Sequence, residues 1–321
     1  MSIESFDERP YGGSRHLAFV ISPPLQPLAH PTAARPLLTG PAVMPRAIAL
    51  PKILVFDSGL GGLTVFREIA RARPDARFVY AADDALFPYG AIEEARLVER
   101  VVALMSEFIA EHQPDLVVVA CNTASTLVLP ALRRHFAVPF VGTVPAIKPA
   151  CASSLSKCIS VLGTEATVKR EYTQTLIRQF AQGCAVTLVG SGRLAGFAER
   201  ELAGDPSTDR ELAEEIAPCF VEDGAARTDT VVLACTHYPL LLDRLKRLAP
   251  WPVQWLDPAP AIARRVIALV GEMRGPARIA SVDFVFTSGR GPPDAVLAML
   301  EAPALPSPPN PSVVDRLTPT L

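Results

Sequence analysis

Apolar residues are distributed in short blocks that alternate between two periods. "KILVFDSG" (52–59) is a continuous β-branched and aromatic run stopped by turn residues, and "LTVFREIARAR" after it repeats its apolar positions with helical spacing. "RFVYAADD" (77–84) predicts a second strand and "EEARLVERVVALMSEFIAEH" (93–112) an amphipathic helix. "DLVVVACN" and "PFVGTV" (139–144) predict a third strand and a fourth. Strands that are apolar throughout, separated by helices, belong to a parallel sheet covered on both faces.

The scheme then repeats. "CISVLGTEATV" (158–168) takes the place of the first strand and loop, a helix runs through "EYTQTLIRQFA", and "AVTLVGSG" (185–192) is the next strand. A helix is expected around 197–222, then a strand in "TVVLACTHYP". "VQWLDPA" (253–259) leads into a helix and a last strand, "DFVFTSG" (283–289). The expected fold is α/β: two similar domains, each a mostly parallel sheet flanked by helices, with an active site in the cleft between them. Residues 1–50 and 301–321 are rich in proline and without sustained periodicity, so a disordered or loosely packed extension and tail are expected there.

Two strands in this repeat end alike. "LVVVACNTAS" and "TVVLACTHYP" each close an apolar run with Ala-Cys and then turn polar, placing Cys121 and Cys235 at equivalent strand ends. Ligands of parallel sheets bind beyond the carboxyl ends of the strands, so two such domains face to face would set the thiols on opposite walls of one cleft. An isolated buried cysteine is ordinarily a packing residue. The matched polar neighbours reverse that reading.

Composition narrows the chemistry. The 321 residues carry a net charge of −2, with 49% hydrophobic and 20% charged residues, a balance that gives no electrostatic case for nucleic acid or an anionic membrane. No apolar run reaches the roughly 20 residues a membrane span needs. Acidic residues in "MSIESFDERPYGG" stand where an export signal would be basic, so a cytoplasmic protein is expected. The six cysteines form no C-x-x-C pair and no zinc-ligand spacing, which predicts free thiols and no metal. "DSGLGG" fails the G-x-G-x-x-G spacing of a dinucleotide cradle because position 64 is Thr, and Asp57 would repel a phosphate. Lys148 could anchor pyridoxal phosphate, but no phosphate cup accompanies it. No cofactor is expected.

A thiol and a thiolate on opposite faces of an α-carbon can invert it, one removing the proton and the other returning one, because cysteine ionises near neutral pH and its surroundings tune it. Asn122 and Thr123 beside the first thiol, and Thr236 and His237 beside the second, can bind ammonium and carboxylate groups. Asp57 is placed to bind an ammonium or assist a thiol, Ser58 to hold a carboxylate, and Tyr89 and Gly90 in "PYG" (88–90) lie after the second strand.

"VFDSGLGG", "FPYG", "VVACNTAS", "VGTVPAIKPA", "ATV" and "LACTHYPLL" resemble, in order and spacing, the glutamate racemases of the cofactor-independent aspartate/glutamate racemase superfamily, over about residues 52–290. The resemblance implies racemisation of glutamate, a role in supplying D-glutamate for peptidoglycan, and a two-domain chain in which residues 51–143 with 255–300 form the first domain and 144–254 the second. It implies Cys121 and Cys235 as catalytic thiols, serving D- and L-glutamate respectively, and Asp57 and His237 as the groups that assist them. Asp57, Ser58, Tyr89, Gly90, Asn122, Thr123, Thr236 and His237 match substrate-binding positions. A homodimer is a further expectation. One departure stands out: many members place a glutamate after the strand that here ends in Gly190, Ser191 and Gly192, and Glu165 is the substitute expected to tune His237. Rival readings are an aspartate or other amino-acid racemase, and a regulatory gyrase-binding protein on the same scaffold.

Overall fold

The computed structural model describes residues 50–224, 226–273 and 281–292. The extension and tail expected at 1–50 and 301–321 lie outside them, Leu50 apart, as do parts of 255–300.

The first domain opens with β1 (Lys52–Asp57), α1 (Leu63–Ala72), β2 (Arg77–Ala82), α2 (Glu94–His112), β3 (Leu116–Val119), α3 (Asn122–His135) and β4 (Phe140–Gly142). The chain crosses to the second domain through α4 (Ile147–Ser153), and continues with β5 (Cys158–Gly163), α5 (Glu165–Lys169), α6 (Glu171–Phe180), β6 (Ala185–Gly190), α7 (Leu194–Leu202) and α8 (Asp209–Ile216). A small antiparallel pair, β7 (Glu222–Asp223) and β8 (Ala226–Arg227), precedes β9 (Thr230–Ala234), α9 (Leu242–Leu248) and β10 (Gln254–Leu256). The chain then returns through α10 (Ala259–Val270) and β11 (Ser281–Phe286).

The first sheet has the order β11-β2-β1-β3-β4 and the second β10-β9-β5-β6, with every adjacent pair parallel. Leaving β11 aside, the two orders are the same winding: first strand, second strand to one side, third and fourth to the other. β3 is therefore the counterpart of β9, and β1 of β5. In such a winding the chain changes direction between its first and third strands, and a crevice opens there at their carboxyl ends. Asp57 ends β1 and Cys121 follows β3; Thr164 and Cys235 follow β5 and β9.

Both faces of each sheet are covered, which explains the unbroken apolar runs. Ile53, Val55, Phe78 and Tyr80 pack on the side of α1 and α10, while Leu54, Phe56 and Val79 pack on the side of α2 and α3. Local signals set the helix ends. Glu93 caps α2 by accepting hydrogen bonds from the amides of Ala95 and Arg96, and Thr208 and Glu211 cap α8 reciprocally.

Three sequence expectations are corrected. The helix expected around 197–222 is two helices: Gly204, at φ +79°, and Pro206 end α7 and forbid its continuation. The loop expected to follow the strand in 158–168 is instead a short helix, α5, which Thr164 caps with its side chain. The limit expected at 254 falls inside β10, which pairs with β9 and carries the second sheet to Leu256.

Candidate active site

β1 ends in a carboxylate with no access to solvent. Asp57 is fully buried, and its Oδ1 accepts hydrogen bonds from the Ser58 amide (2.5 Å), the Ser58 hydroxyl (3.1 Å) and the Gly59 amide (3.3 Å). Burial pushes the Asp57 pKa up, against the charge of His237 and the hydroxyls of Thr236 and Ser58. The same Ser58 hydroxyl lies 3.7 Å from Cys121 Sγ.

Cys121 stands at the start of α3, where free backbone N–H groups and the helix dipole favour negative charge. That is not enough to ionise it in this form. Desolvation and the nearby Asp57 charge push its thiol up to about 12, while the Ala124 amide and Ser58 pull the other way. Asn122 is 2% exposed, and among the described residues neither its Oδ1 nor its Nδ2 has a partner. An amide so enclosed is costly unless a ligand satisfies it.

On the opposite wall, β9 delivers Cys235, and His237 two residues later points its Nδ1 at the thiol, 3.8 Å away. The other ring nitrogen, Nε2, is 2.8 Å from Glu199 Oε1. The Gly61 amide also reaches Nε2, at 3.2 Å. A carboxylate at the shorter distance requires a proton on Nε2, so the contact to Glu199 decides the tautomer and leaves Nδ1 free to accept from Cys235. Burial works against a charged ring at this position. The hydrogen bonds to Cys235 and Glu199 and the charges of Cys235 and Asp57 outweigh it, and raise His237 to about 10.

The glycine loop after β1 is what lets these walls meet. A Cβ on Gly61 would lie 2.4 Å from His237 Nδ1 and 2.7 Å from Cε1 and Cγ; one on Gly59 would lie 2.5 Å from Glu199 Oε1. The Leu60 amide donates to Glu199 at 2.7 Å, and the Thr64 hydroxyl donates to the Thr236 carbonyl at 3.1 Å. "GLGG" is a surface of close approach for a histidine and a glutamate from the other domain, and no phosphate cradle.

Cys121 and Cys235 line one narrow cavity, together with Ser58, Tyr89, Gly90, Asn122, Thr123, Thr236 and His237. Asp57 is the exception among the expected residues, lying behind Ser58 instead of on the wall. Tyr89 borders the cavity but turns its hydroxyl away, donating to Asp83 Oδ2 at 2.8 Å; Asp83 is also held by Arg100 and by the Thr287 hydroxyl. Burial and the Asp83 carboxylate raise the Tyr89 hydroxyl well above its usual range.

Sequence reasoning missed two residues. Thr164 lines the cavity and joins a triangle of hydroxyls, 2.9 Å from Thr123 and 2.9 Å from Thr167. Glu199 takes the place beside His237 that was expected of Glu165; Glu165 is instead exposed and paired with Lys169 at 2.8 Å. The signal for Glu199 lay in α7: Ala195 lines the cavity, and Glu199 follows four residues later on the same helical face.

A cavity with a thiol on each of two opposed domains and unsatisfied polar groups between them defines a site for proton transfer on a small polar molecule. The family model of Asp/Glu/Hydantoin racemases matches residues 56–266, and the chain belongs to that family. It is 54% identical over 251 residues to the glutamate racemase of Brucella ovis, covering 78% of this chain and 91% of that protein, and 52% identical over 262 residues to that of Brucella anthropi, covering 81% and 94%. Among solved structures it is similar to Escherichia coli glutamate racemase in complex with L-glutamate and the activator UDP-MurNAc-Ala (TM-score 0.70, 40% identity, 78% of this chain and 94% of that one). A glutamate racemase isoform from Bacillus anthracis aligns with a TM-score of 0.61 at 28% identity, covering 74% and 87%. Among the described residues no helix is long and apolar enough to cross a membrane.

Proposed function

We propose that this protein is a glutamate racemase that interconverts L- and D-glutamate by proton transfer between two thiols. The observation that supports this most directly is the convergence of Cys121 and Cys235 on one cavity whose buried Asn122 amide has no partner among the described residues. The D-glutamate formed serves peptidoglycan synthesis, the role that the family resemblance implies. The two domains are assigned as about 51–143 with the C-terminal return, and 144–256.

In the direction that begins at Cys235, the thiol proton resides on His237 Nδ1 in an imidazolium–thiolate pair, and the thiolate removes the α-proton of glutamate. Glu199 holds the ring in the tautomer this needs and stabilises the imidazolium. The carbanion is planar, and Cys121, kept protonated by burial, delivers a proton to the other face. The reverse direction starts with loss of the Cys121 proton, assisted by Ser58 and the Asp57 carboxylate behind it, while imidazolium returns a proton through Cys235. Asn122, Thr123 and Thr164, with amides at the start of α3, hold the carboxylates and ammonium. The free volume is about 20 Å³, room for about one water. Admitting an amino acid therefore requires the two domains to part, and their closure excludes solvent from the carbanion.

The test is incubation of the purified protein, without added metal or pyridoxal phosphate, with each enantiomer of glutamate and of aspartate in deuterated water. Loss of optical rotation with α-deuterium uptake from both glutamate enantiomers supports the assignment. Turnover of aspartate alone would make this an aspartate racemase, and activity lost on dialysis and restored by a cofactor would overturn the two-thiol reading.

A further inference from the structure

Two cysteines outside the site already described lie together in the second domain. Cys151 sits in the last turn of α4 and is buried; Cys184 closes the turn after α6 and is partly exposed. They are 33 positions apart, yet Cys184 Sγ reaches the Cys151 carbonyl at 3.9 Å. That carbonyl, one of those a helix end leaves without an intrahelical donor, also accepts from Lys157 Nζ at 3.0 Å. Both sulfurs belong to one apolar cluster, with Ile147, Ile159, Val232 and Ala234. Cys235 belongs to the cluster on the opposite face of the second sheet, with Val231 and Leu233, so the pair is separated from the catalytic cavity by the sheet itself.

We propose that Cys151 and Cys184 form an oxidative modification site, in which a hydroperoxide converts the two thiols to a reversible disulfide. Cys184 is the sulfur an oxidant reaches first, being the more exposed, and its thiolate form is the nucleophile. The thiolate attacks the outer oxygen of the hydroperoxide; the O–O bond breaks, an S–O bond forms, and the departing alkoxide takes up a proton to leave as alcohol. Cys184 is then a sulfenic acid. The Cys151 sulfur attacks it, an S–S bond forms, and hydroxide leaves as water with the proton from Cys151. In sum two thiols lose two electrons and one hydroperoxide is reduced to alcohol and water. In the reduced protein Cys151 is kept a thiol: burial, and then the neighbouring Cys184, raise it to about 12. It therefore escapes direct oxidation and serves as the resolving partner.

The experiment treats the full-length protein with tert-butyl hydroperoxide, blocks remaining thiols, and maps peptides without reduction. The expected result is a cross-linked pair containing Cys151 and Cys184 that dithiothreitol releases. In Cys151→Ser, Cys184 should advance to sulfinic acid at least about tenfold more than in the unaltered protein, because no sulfur resolves the sulfenic acid. In Cys184→Ser, Cys151 should remain a free thiol at the same peroxide concentration, and racemisation by the reduced variant should match that of the unaltered protein. Equal sulfinic acid at Cys184 with and without Cys151, or Cys151 recovered as a free thiol when Cys184 is oxidised, would overturn the proposal. Peptide mapping reads Cys121 and Cys235 separately, so oxidation at the active site does not obscure either result.

Discussion

Replacing Glu199 by Gln removes a charge and little else. The amide oxygen of Gln can still accept from the Leu60 amide and from His237 Nε2, the two donors that Glu199 Oε1 now serves at 2.7 and 2.8 Å, so the glycine loop keeps its anchor. What changes is the strength of the contact to the imidazolium. A hydrogen bond to a charged group contributes about 1.5–3 kcal/mol and a neutral one about 0.5–1.5 kcal/mol, a difference of about 1–1.5 kcal/mol. At 1.36 kcal/mol per tenfold, His237 loses about five- to tenfold in proton affinity. His237 titrates at about 10, above its ordinary value, so its charged form is present below that pH and lost above it. Glu199→Gln should bring the alkaline limb of kcat/KM down by about one pH unit, so that kcat/KM falls by about tenfold above pH 10 and little near neutrality. Polarimetry started from each enantiomer provides an internal control. Enantiomers have equal free energies in water, so the equilibrium constant is 1 and kcat/KM must fall by the same factor in both directions. A variant that folds normally, racemises within about twofold of the unaltered protein above pH 10 and keeps its alkaline limb would refute the role given to Glu199.

The two thiols make a sharper qualitative test: Cys121→Ala and Cys235→Ala should each lose racemisation in both directions, retain at most slow α-deuterium exchange, and differ in which enantiomer exchanges. Near-normal racemisation by either folded variant would exclude a two-thiol mechanism. Gly61→Ala places a methyl 2.4 Å from His237 Nδ1, and kcat/KM should drop by roughly a hundredfold, since displacing a catalytic group by about 1 Å costs about that much; circular dichroism should show the fold retained. Asp229 accepts from the Ser154 hydroxyl at 2.7 Å and the Leu155 and Ser156 amides at 2.7 and 2.8 Å. Burial opposes its ionisation, but these donors and Thr230 outweigh it and hold its pKa down at about 2. Its contribution, on the order of 1–2 kcal/mol, is present above about pH 4 and lost as pH falls through about 2, so Asp229→Asn should unfold more readily at pH 6 with a smaller difference at pH 2.

The strands and the places where they end were legible in the sequence because both are local properties. Apolar runs bounded by Gly, Asp and Pro mark β1, β3, β5 and β9 without any knowledge of what packs on them. The repeat of Ala-Cys at two strand ends, set in parallel-sheet patterning, fixed the thiols at the crevice of each domain. The sequence also held the glycines of the first loop, though not their purpose.

Only the tertiary structure decided which groups serve the thiols. The contact between the Leu60 amide and Glu199 spans 139 positions, and that between the Gly61 amide and His237 spans 176. No periodicity within one element reports on such a pair, so a glutamate was sought after β5, at Glu165, while the one beside His237 lies on α7. Burial behaved likewise. Asp57 ends β1 and Tyr89 follows β2, and nothing local shows that Asp57 is sealed beneath Ser58 or that the Tyr89 hydroxyl is held by Asp83. Solvent access and electrostatic partners are set by how two domains close on each other, and that closure depends on side chains far apart in the chain, whereas strand and helix formation depends on neighbours.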